Sequence, residues 1–190
     1  MKYLKYLLII IVLLAIIFFG KGFLTPVVSY ESEVIVNKPV KETWAVMSDE
    51  SRISEWLIGI KKMELISGTE NTVGAVSKIY FEENGEEMIM EETITAIKPN
   101  EHIAMTFTMD FMNMDYEMFL TEEAGKTRIL SKSETTGNGI MAKSILSFMT
   151  GTMKKQEETN LNNLKTVIEN NTKNYFPEPV QEPVIEEVAN

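Results

Sequence analysis

Residues 103–120 read IAMTFTMDFMNMDYEMFL, and apolar side chains occupy every second position in each half of this stretch. The alternating apolar residues are Ile103, Met105, Phe107 and Met109, then Met112, Met114, Tyr116, Met118 and Leu120. Because successive side chains of a β-strand point to opposite faces, the alternation predicts two strands that each present one apolar face. Two such strands in succession are typical of an antiparallel sheet with one buried face.

The neighbouring segments extend this sheet. Similar patterns predict strands at 32–36, 62–66, 73–81, 86–97 and 127–135. The Asn84-Gly85 pair and the Lys98-Pro99-Asn100 segment are turn signals that separate consecutive strands, as expected for hairpins. We therefore expect an antiparallel sheet of about six to seven strands.

Helical spacing appears at three places after the N-terminal segment. Pro39 suits the first position of a helix that carries Trp44, a second short helix is predicted at 53–60, and a long one at 140–168. The long helix is the only predicted element large enough to cover the sheet. The fold class is therefore α+β, with a curved antiparallel sheet that grips a long C-terminal helix and leaves room for a cavity.

The chain opens with an unbroken apolar run from Tyr6 to Phe19, bracketed by Lys5 and Lys21. With snorkelling lysines, residues 4–24 are long enough to cross a ~30 Å hydrocarbon core once. A cleaved signal peptide over residues 1–24 is the alternative. We favour an uncleaved transmembrane anchor, because no small-residue cleavage site follows the run. The lysines favour a cytoplasmic N-terminus, with the domain on the periplasmic or extracellular side.

The composition excludes several function classes. The 190 residues carry 28 acidic and 18 basic side chains, a net charge of −10, so the domain is a poor binder of nucleic acid. The absence of cysteine excludes disulfides, thiolate metal sites and cysteine nucleophiles, and the single histidine excludes multi-histidine metal sites. We predict no metal, no cofactor and no catalytic residue, and the oligomeric state is left open.

Several landmarks occur in a characteristic order along the chain. They are a strand at 33–36, the segment NKPVKETWAVMSD at 37–49, Trp56, Gly68, Gly74, the turn at 98–100 and Gly137. This order resembles the START-like superfamily, also called SRPBCC, in its polyketide cyclase/dehydrase and lipid-transport branch. The resemblance covers about residues 29–170. It implies a helix-grip fold with an internal apolar cavity and no universal catalytic residue.

The chain thus divides into four parts. We expect an anchor at 1–24, a linker at 25–29, the START-like domain at 30–172 and a disordered acidic tail rich in Pro and Glu at 173–190.

Methionines supply the candidate ligand site. Seven of them fall on three successive predicted strands, and flexible thioether side chains adapt to irregular ligands. We expect the cavity to be lined by Trp56, Met88, Met90, Met105, Phe107, Met109, Met114, Tyr116, Met118, Phe148 and Met149. Trp56 is also the candidate portal. The alternative is a plain core in which methionine fills gaps against the long helix.

The charged side chains are weaker candidates for a functional site. Glu92 is a possible polar anchor. It lies two residues after Met90 and so can share the inward face of the strand, where burial would raise its pKa. A reversed parity or a bulge would turn it outward, and we favour that outward position. His102 is expected to be an exposed turn residue, and the glutamates at 82–87 a solvated hairpin tip.

These observations favour a membrane-anchored domain that binds a small hydrophobic ligand, such as a lipid, a quinone or a polyketide-like compound, without a catalysed reaction. Two alternatives stay open. One is a cavity enzyme of the cyclase, dehydratase or hydrolase type, and the other is a protein-interaction module.

Overall fold

The computed structural model describes residues 2–83 and 85–177. Its helices are α1 (Lys2–Leu24), α2 (Val40–Met47) and α3 (Ile140–Glu169), with a short 3-10 helix at Glu50–Glu55. Its strands are β1 (Val27–Val36), β2 (Ile60–Ser67), β3 (Val76–Glu83), β4 (Glu86–Lys98), β5 (His102–Thr108), β6 (Met112–Glu123) and β7 (Lys126–Gly137). The predicted α+β class, the antiparallel sheet and the long C-terminal helix are confirmed.

The seven strands form one antiparallel sheet in the order β1-β7-β6-β5-β4-β3-β2. From β2 to β7 each strand pairs with the next one along the chain. The first strand instead pairs with the last, with Val27 opposite Thr136 and Val36 opposite Thr127. The chain then passes through α2 and the 3-10 helix to reach β2 at the far edge of the sheet.

The core lies where α3 crosses the part of the sheet formed by β1 and β7. The last turns of α3 bury Leu161, Leu164 and Ile168, each at most 1 % exposed. They belong to one apolar cluster with Val36 and Ile129, which are fully buried. Apolar burial stabilises a fold by about 25 cal/mol per Å², so this contact fixes α3 on the sheet.

The last turns of α1 pack against the first turns of α3. Gly22 is buried there, and a Cβ atom at this position would lie only 2.6 Å from the backbone nitrogen of Ser144. The Phe18 ring stacks on the Phe148 ring with 5.9 Å between centroids, and Lys21 Nζ lies 4.1 Å from the Phe148 centroid. The earlier residues of α1 are exposed, and by length and composition α1 is able to cross a membrane.

Ordered structure extends past the predicted bounds of the domain, 30–172, at both ends. Residues 27–29 belong to β1, because they pair with residues 134–136 of β7, so only Thr25 and Pro26 separate α1 from the sheet. The predicted tail begins with ordered contacts at Lys173 and Tyr175. Residues 178–190, which hold the rest of the tail, lie outside the described residues.

The second predicted helix was also misplaced. The structure has a 3-10 helix at Glu50–Glu55 in place of a helix at 53–60, and β2 already begins at Ile60.

The close approach of α1 to α3 predicts a steric effect of Gly22→Val. Cysteines placed at Phe18 and Phe148 in the otherwise cysteine-free chain report the contact through a short bismaleimide linker. We expect Gly22→Val to reduce this cross-linking several-fold, because the two backbones must separate. Gly20→Val is the matched control, since a Cβ atom there meets nothing within 4 Å. Equal cross-linking in both variants would contradict the packing.

The core contact predicts that Leu164→Ala destabilises the domain by about 2–5 kcal/mol, because Leu164 is fully buried and its removal leaves a cavity. Leu65→Ala, on a half-exposed β2 position, should change the free energy of unfolding by less than about 1 kcal/mol. Urea unfolding followed by tryptophan fluorescence measures both. If Leu164→Ala lowered the free energy of unfolding no more than Leu65→Ala does, α3 would not be central to the core.

Candidate ligand cavity

A cavity of about 340 Å³ lies between α3 and the part of the sheet that α3 does not cover. Strands are spaced ~4.8 Å apart, so seven of them span roughly 29 Å, whereas a helix with its side chains is only about 10–12 Å across. The helix covers the β1 and β7 half. The inner faces of β2 to β6, the 3-10 helix with residues 56–58, and residues 156–160 of α3 enclose the remaining space.

Most of the predicted lining residues surround this cavity. They are Trp56, Met90, Met105, Phe107, Met114, Tyr116 and Met118. Those on β5 and β6 alternate along their strands, as the apolar pattern indicated, and β5 pairs with β6 so that Met105 lies opposite Tyr116 and Phe107 opposite Met114. Their placement is as expected, and their contact with a ligand stays a prediction.

Four of the expected lining residues lie elsewhere. Met88 lies opposite Phe81 close to the β3–β4 hairpin, and Met109 follows the end of β5 in the turn to β6. Neither is among the residues that line the cavity. Phe148 and Met149 are 52 % and 41 % exposed on the first half of α3. A 30-residue helix is ~45 Å long, and this half extends past the cavity to α1.

The sequence did not assign the remaining apolar lining residues to the cavity. These are Met47, Ile53, Leu57, Ile58, Ile60, Met63, Ile79, Phe81, Ile94 and Ile103. Several come from the 3-10 helix and from β2, whose register shifts between Ile60 and Lys62. Irregular backbone of this kind hides the period of two that marks a strand face.

The entrance lies beside Trp56 and is not formed by it. Trp56 is only 8 % exposed and belongs to the apolar core, whereas Ile58 is 58 % exposed and lines the cavity. Asn71 and Gln156 are the other exposed lining residues, so the cavity reaches the surface between them and Ile58. Trp44 packs against the core from α2.

Glu92 points into the cavity, so the favoured outward position was wrong. It is 7 % exposed and lies on β4 between the inward-facing Met90 and Ile94. A register shift does occur in β4, but between Ile94 and Ala96, past Glu92. Burial, with a smaller contribution from the nearby carboxylate of Glu50, raises the pKa of Glu92 to about 7.

Tyr116 is the second polar group of the interior. It is 8 % exposed, and its hydroxyl donates a 2.7 Å hydrogen bond to Glu157 Oε1 of α3. Burial and the adjacent Glu157 carboxylate raise the pKa of Tyr116 well above its usual value, so the phenol stays protonated. The bond ties β6 to the middle of α3 at the edge of the cavity.

The segment after α3 holds the 3-10 helix in place. Asp49 accepts hydrogen bonds of 2.7 Å from Lys173 Nζ and from the Tyr175 hydroxyl. Burial would raise the pKa of Asp49, but these bonds and one from Ser51 lower it overall. Arg52 pairs with Glu55 and donates to Asn171 Oδ1 at 2.8 Å. The cavity wall formed by the 3-10 helix is thus fastened to the C-terminal end of α3.

His102 lies away from the cavity. Its ring stacks on Phe119 at 4.5 Å between centroids and is less exposed than expected, with 24 % of the side chain accessible. Within residues 2–83 and 85–177, no group of three or more His, Cys, Asp or Glu side chains is arranged to hold a metal ion.

Known proteins share this fold. Ara h 8.0201 is 18 % identical, with a TM-score of 0.61, covering 76 % of this chain and 99 % of its own. The ZhuI aromatase/cyclase from Streptomyces sp. R1128 is 16 % identical, with a TM-score of 0.63 and coverage of 75 % and 94 %. A protein of unknown function from Staphylococcus aureus, SA2116, is also 16 % identical, with a TM-score of 0.62 and the same coverage. At these identities the likeness shows the helix-grip fold alone.

Comparison of the sequence itself is more specific about descent. No curated protein matches the chain. The model of the family described as polyketide cyclase/dehydrase and lipid transport, however, matches residues 27–169, from the start of β1 to the end of α3. On that match over most of its length, the chain belongs to the polyketide cyclase/dehydrase and lipid transport family.

Proposed function

We propose that this protein binds a small hydrophobic ligand in the cavity between α3 and the sheet, and that α1 anchors it in a membrane. The observation that carries the first part is the lining, which is dominated by methionine, aliphatic and aromatic side chains around a volume of about 340 Å³. Ligand pockets are typically apolar with a few polar groups that set orientation. Glu92 and Tyr116 supply those polar groups.

The methionines favour ligand binding over simple core filling. Met90, Met105 and Met114 pack against the core cluster but are only partly buried, because each also faces the open space of the cavity. Unbranched thioether side chains change rotamer easily, so this wall adapts to the shape of a ligand. The exposed Ile58 marks an apolar path for entry.

Acid–base catalysis in the same cavity is the second candidate function. It is favoured by one observation, the buried Glu92 with a pKa of about 7, which makes it able to give or take a proton near neutral pH. The Tyr116 hydroxyl already donates its hydrogen bond to Glu157, and it stays protonated. A binding protein returns its ligand chemically unchanged, and mass spectrometry of the extracted ligand after prolonged incubation separates the two functions.

The membrane anchor is supported by α1 itself. Its 23 residues are ~35 Å long, enough for a ~30 Å hydrocarbon core, and Lys2, Lys5 and Lys21 stand near its two ends. The contact between Gly22 and Ser144 supports a retained helix, because cleavage would uncover the α3 surface that Gly22 fits. The lysines favour a cytoplasmic N-terminus with the domain outside.

The cavity predicts that a larger side chain at Met105 blocks binding. In the full chain, held in phosphatidylcholine nanodiscs, we expect Met105→Trp to weaken binding of 4-phenylbutan-1-ol at least tenfold, because the indole occupies part of the cavity. Isothermal titration calorimetry, with empty nanodiscs subtracted, measures this. Met141→Trp is the control, since Met141 is 54 % exposed and far from the lining. Equal binding by both variants, or none by the unchanged chain, would contradict the proposal.

The anchor predicts an intact N-terminus in cells. We expect the mature protein to keep its full mass of 21.6 kDa and to stay in the membrane fraction after alkaline washing. A protease added from outside should remove the domain and leave α1 protected. A mature chain that begins near residue 20 in the soluble fraction would show a cleaved signal peptide instead.

A further inference from the structure

The ionisable groups of the cavity carry charge of one sign. Its lining includes the carboxyl groups of Glu50, Glu92 and Glu157, and none of the described lining residues is Lys, Arg or His. The three carboxyl groups come from the 3-10 helix, from β4 and from α3. Three separate elements thus bring acidic groups into one mainly apolar space.

Glu92 is the group without a partner. Glu157 accepts the hydrogen bond from Tyr116, and Glu50 lies partly exposed beside the entrance. Glu92 is 7 % exposed, and no hydrogen bond or opposite charge from the described residues stabilises its carboxylate. A buried, unpaired carboxyl group is costly to the fold, which is why such groups normally have partners.

The described neighbours of Glu92 offer no positive charge to its carboxylate. Its cross-strand neighbours are Ser77 on β3 and Phe107 on β5, both uncharged and buried. The titratable groups that face the same space are Glu50, Glu157 and Tyr116, and all of them are acids. No basic group of the described lining is therefore available to neutralise Glu92.

We propose that Glu92, assisted by Glu50, is the head-group subsite of the cavity, and that its ligand is an amphipathic amine whose ammonium group pairs with the Glu92 carboxylate. This rests on the proposed binding of a hydrophobic ligand. The apolar walls take the hydrocarbon part, and the cation relieves the repulsion between the two carboxylates.

Other head groups fit this site less well. A carboxylate or phosphate head would be repelled by Glu50, Glu92 and Glu157 and would find no cation among the described lining residues. A neutral alcohol is able to hydrogen-bond to protonated Glu92, but charge-assisted hydrogen bonds are roughly twice as strong as neutral ones. The site therefore discriminates among ligands with the same hydrocarbon part by the charge of the head.

Three probes with a common apolar part test this selectivity. The full chain in phosphatidylcholine nanodiscs is titrated at pH 8 with 4-phenylbutylamine, 4-phenylbutan-1-ol and 4-phenylbutanoate by calorimetry, with empty nanodiscs subtracted. We expect the amine to bind at least tenfold more tightly than the alcohol, and the carboxylate most weakly. If the alcohol or the carboxylate binds as tightly as the amine, the amine subsite is overturned while ligand binding stands. If none of the three binds, the proposed function itself fails.

Two variants assign the selectivity to Glu92. Glu92→Gln should remove the preference for the amine, because a neutral amide has no charge to pair with an ammonium group, whereas Glu91→Gln, one residue along β4 on the exposed face, should leave the preference intact. Glu92→Gln removes a buried unpaired carboxyl group, so its Tm at pH 8 should equal or exceed that of the unchanged chain. A Glu92→Gln protein that is folded and retains the amine preference would refute the assignment.

The pH dependence gives an independent readout. Lowering the pH from 8 to 5.5 protonates Glu92, whose pKa is about 7, while a primary amine with a pKa near 10 stays charged. Amine affinity should therefore fall roughly tenfold or more over this range, and alcohol affinity should not. Glu50, whose pKa is raised by burial and by Glu70, accounts for whatever dependence persists in Glu92→Gln. An amine affinity that is constant with pH in the unchanged chain would contradict the ion pair.

Discussion

The structure depends on the difference in width between one helix and a sheet of seven strands. One helix is too narrow to cover seven strands, and the burial of Leu161, Leu164 and Ile168 fixes α3 over β1 and β7. The inner faces of β3 to β5 are left without a helix opposite them. A sheet face that is apolar but not covered has to be closed by smaller elements, here the 3-10 helix and the segment that follows it. The cavity is the space those elements do not fill.

Three regions of α3 make different contacts. Its first turns meet α1 through Ser144 and Phe148, its middle forms the rim of the cavity with Glu157 and Asn160, and its last turns make the core. The residues just after it, Lys173 and Tyr175, fasten the 3-10 helix through Asp49. One continuous helix therefore links the N-terminal apolar helix, the cavity rim and the cavity wall, and none of the three is positioned independently.

The sequence predicts the fold well wherever a strand or helix has one clearly apolar face and one clearly polar face. In β5 and β6 most of the residues between the inward-facing ones are polar, with Ala104 and Phe119 as exceptions, so the inward face, including Phe107 and Tyr116, is predictable from spacing alone. The contrast fails in β4, where Ile89 is apolar but 53 % exposed and Glu92 is charged but buried. It also fails for Phe148, which packs on α1, because a helix surface that faces another helix has the same composition as one that faces a core. The wall formed by the 3-10 helix has no regular period to detect.

The pairing of β1 with β7 has a consequence for how the chain is made. Val27 leaves the ribosome roughly 100 residues before Thr136, its partner, and only Thr25 and Pro26 separate β1 from α1. Contacts between residues so distant in sequence form late and slow folding. The first strand therefore waits unpaired beside α1 until β7 has been synthesised, so the finished sheet forms only after nearly the whole domain has emerged. During that interval both edges of β1 are unpaired, and unpaired strand edges are prone to aggregation.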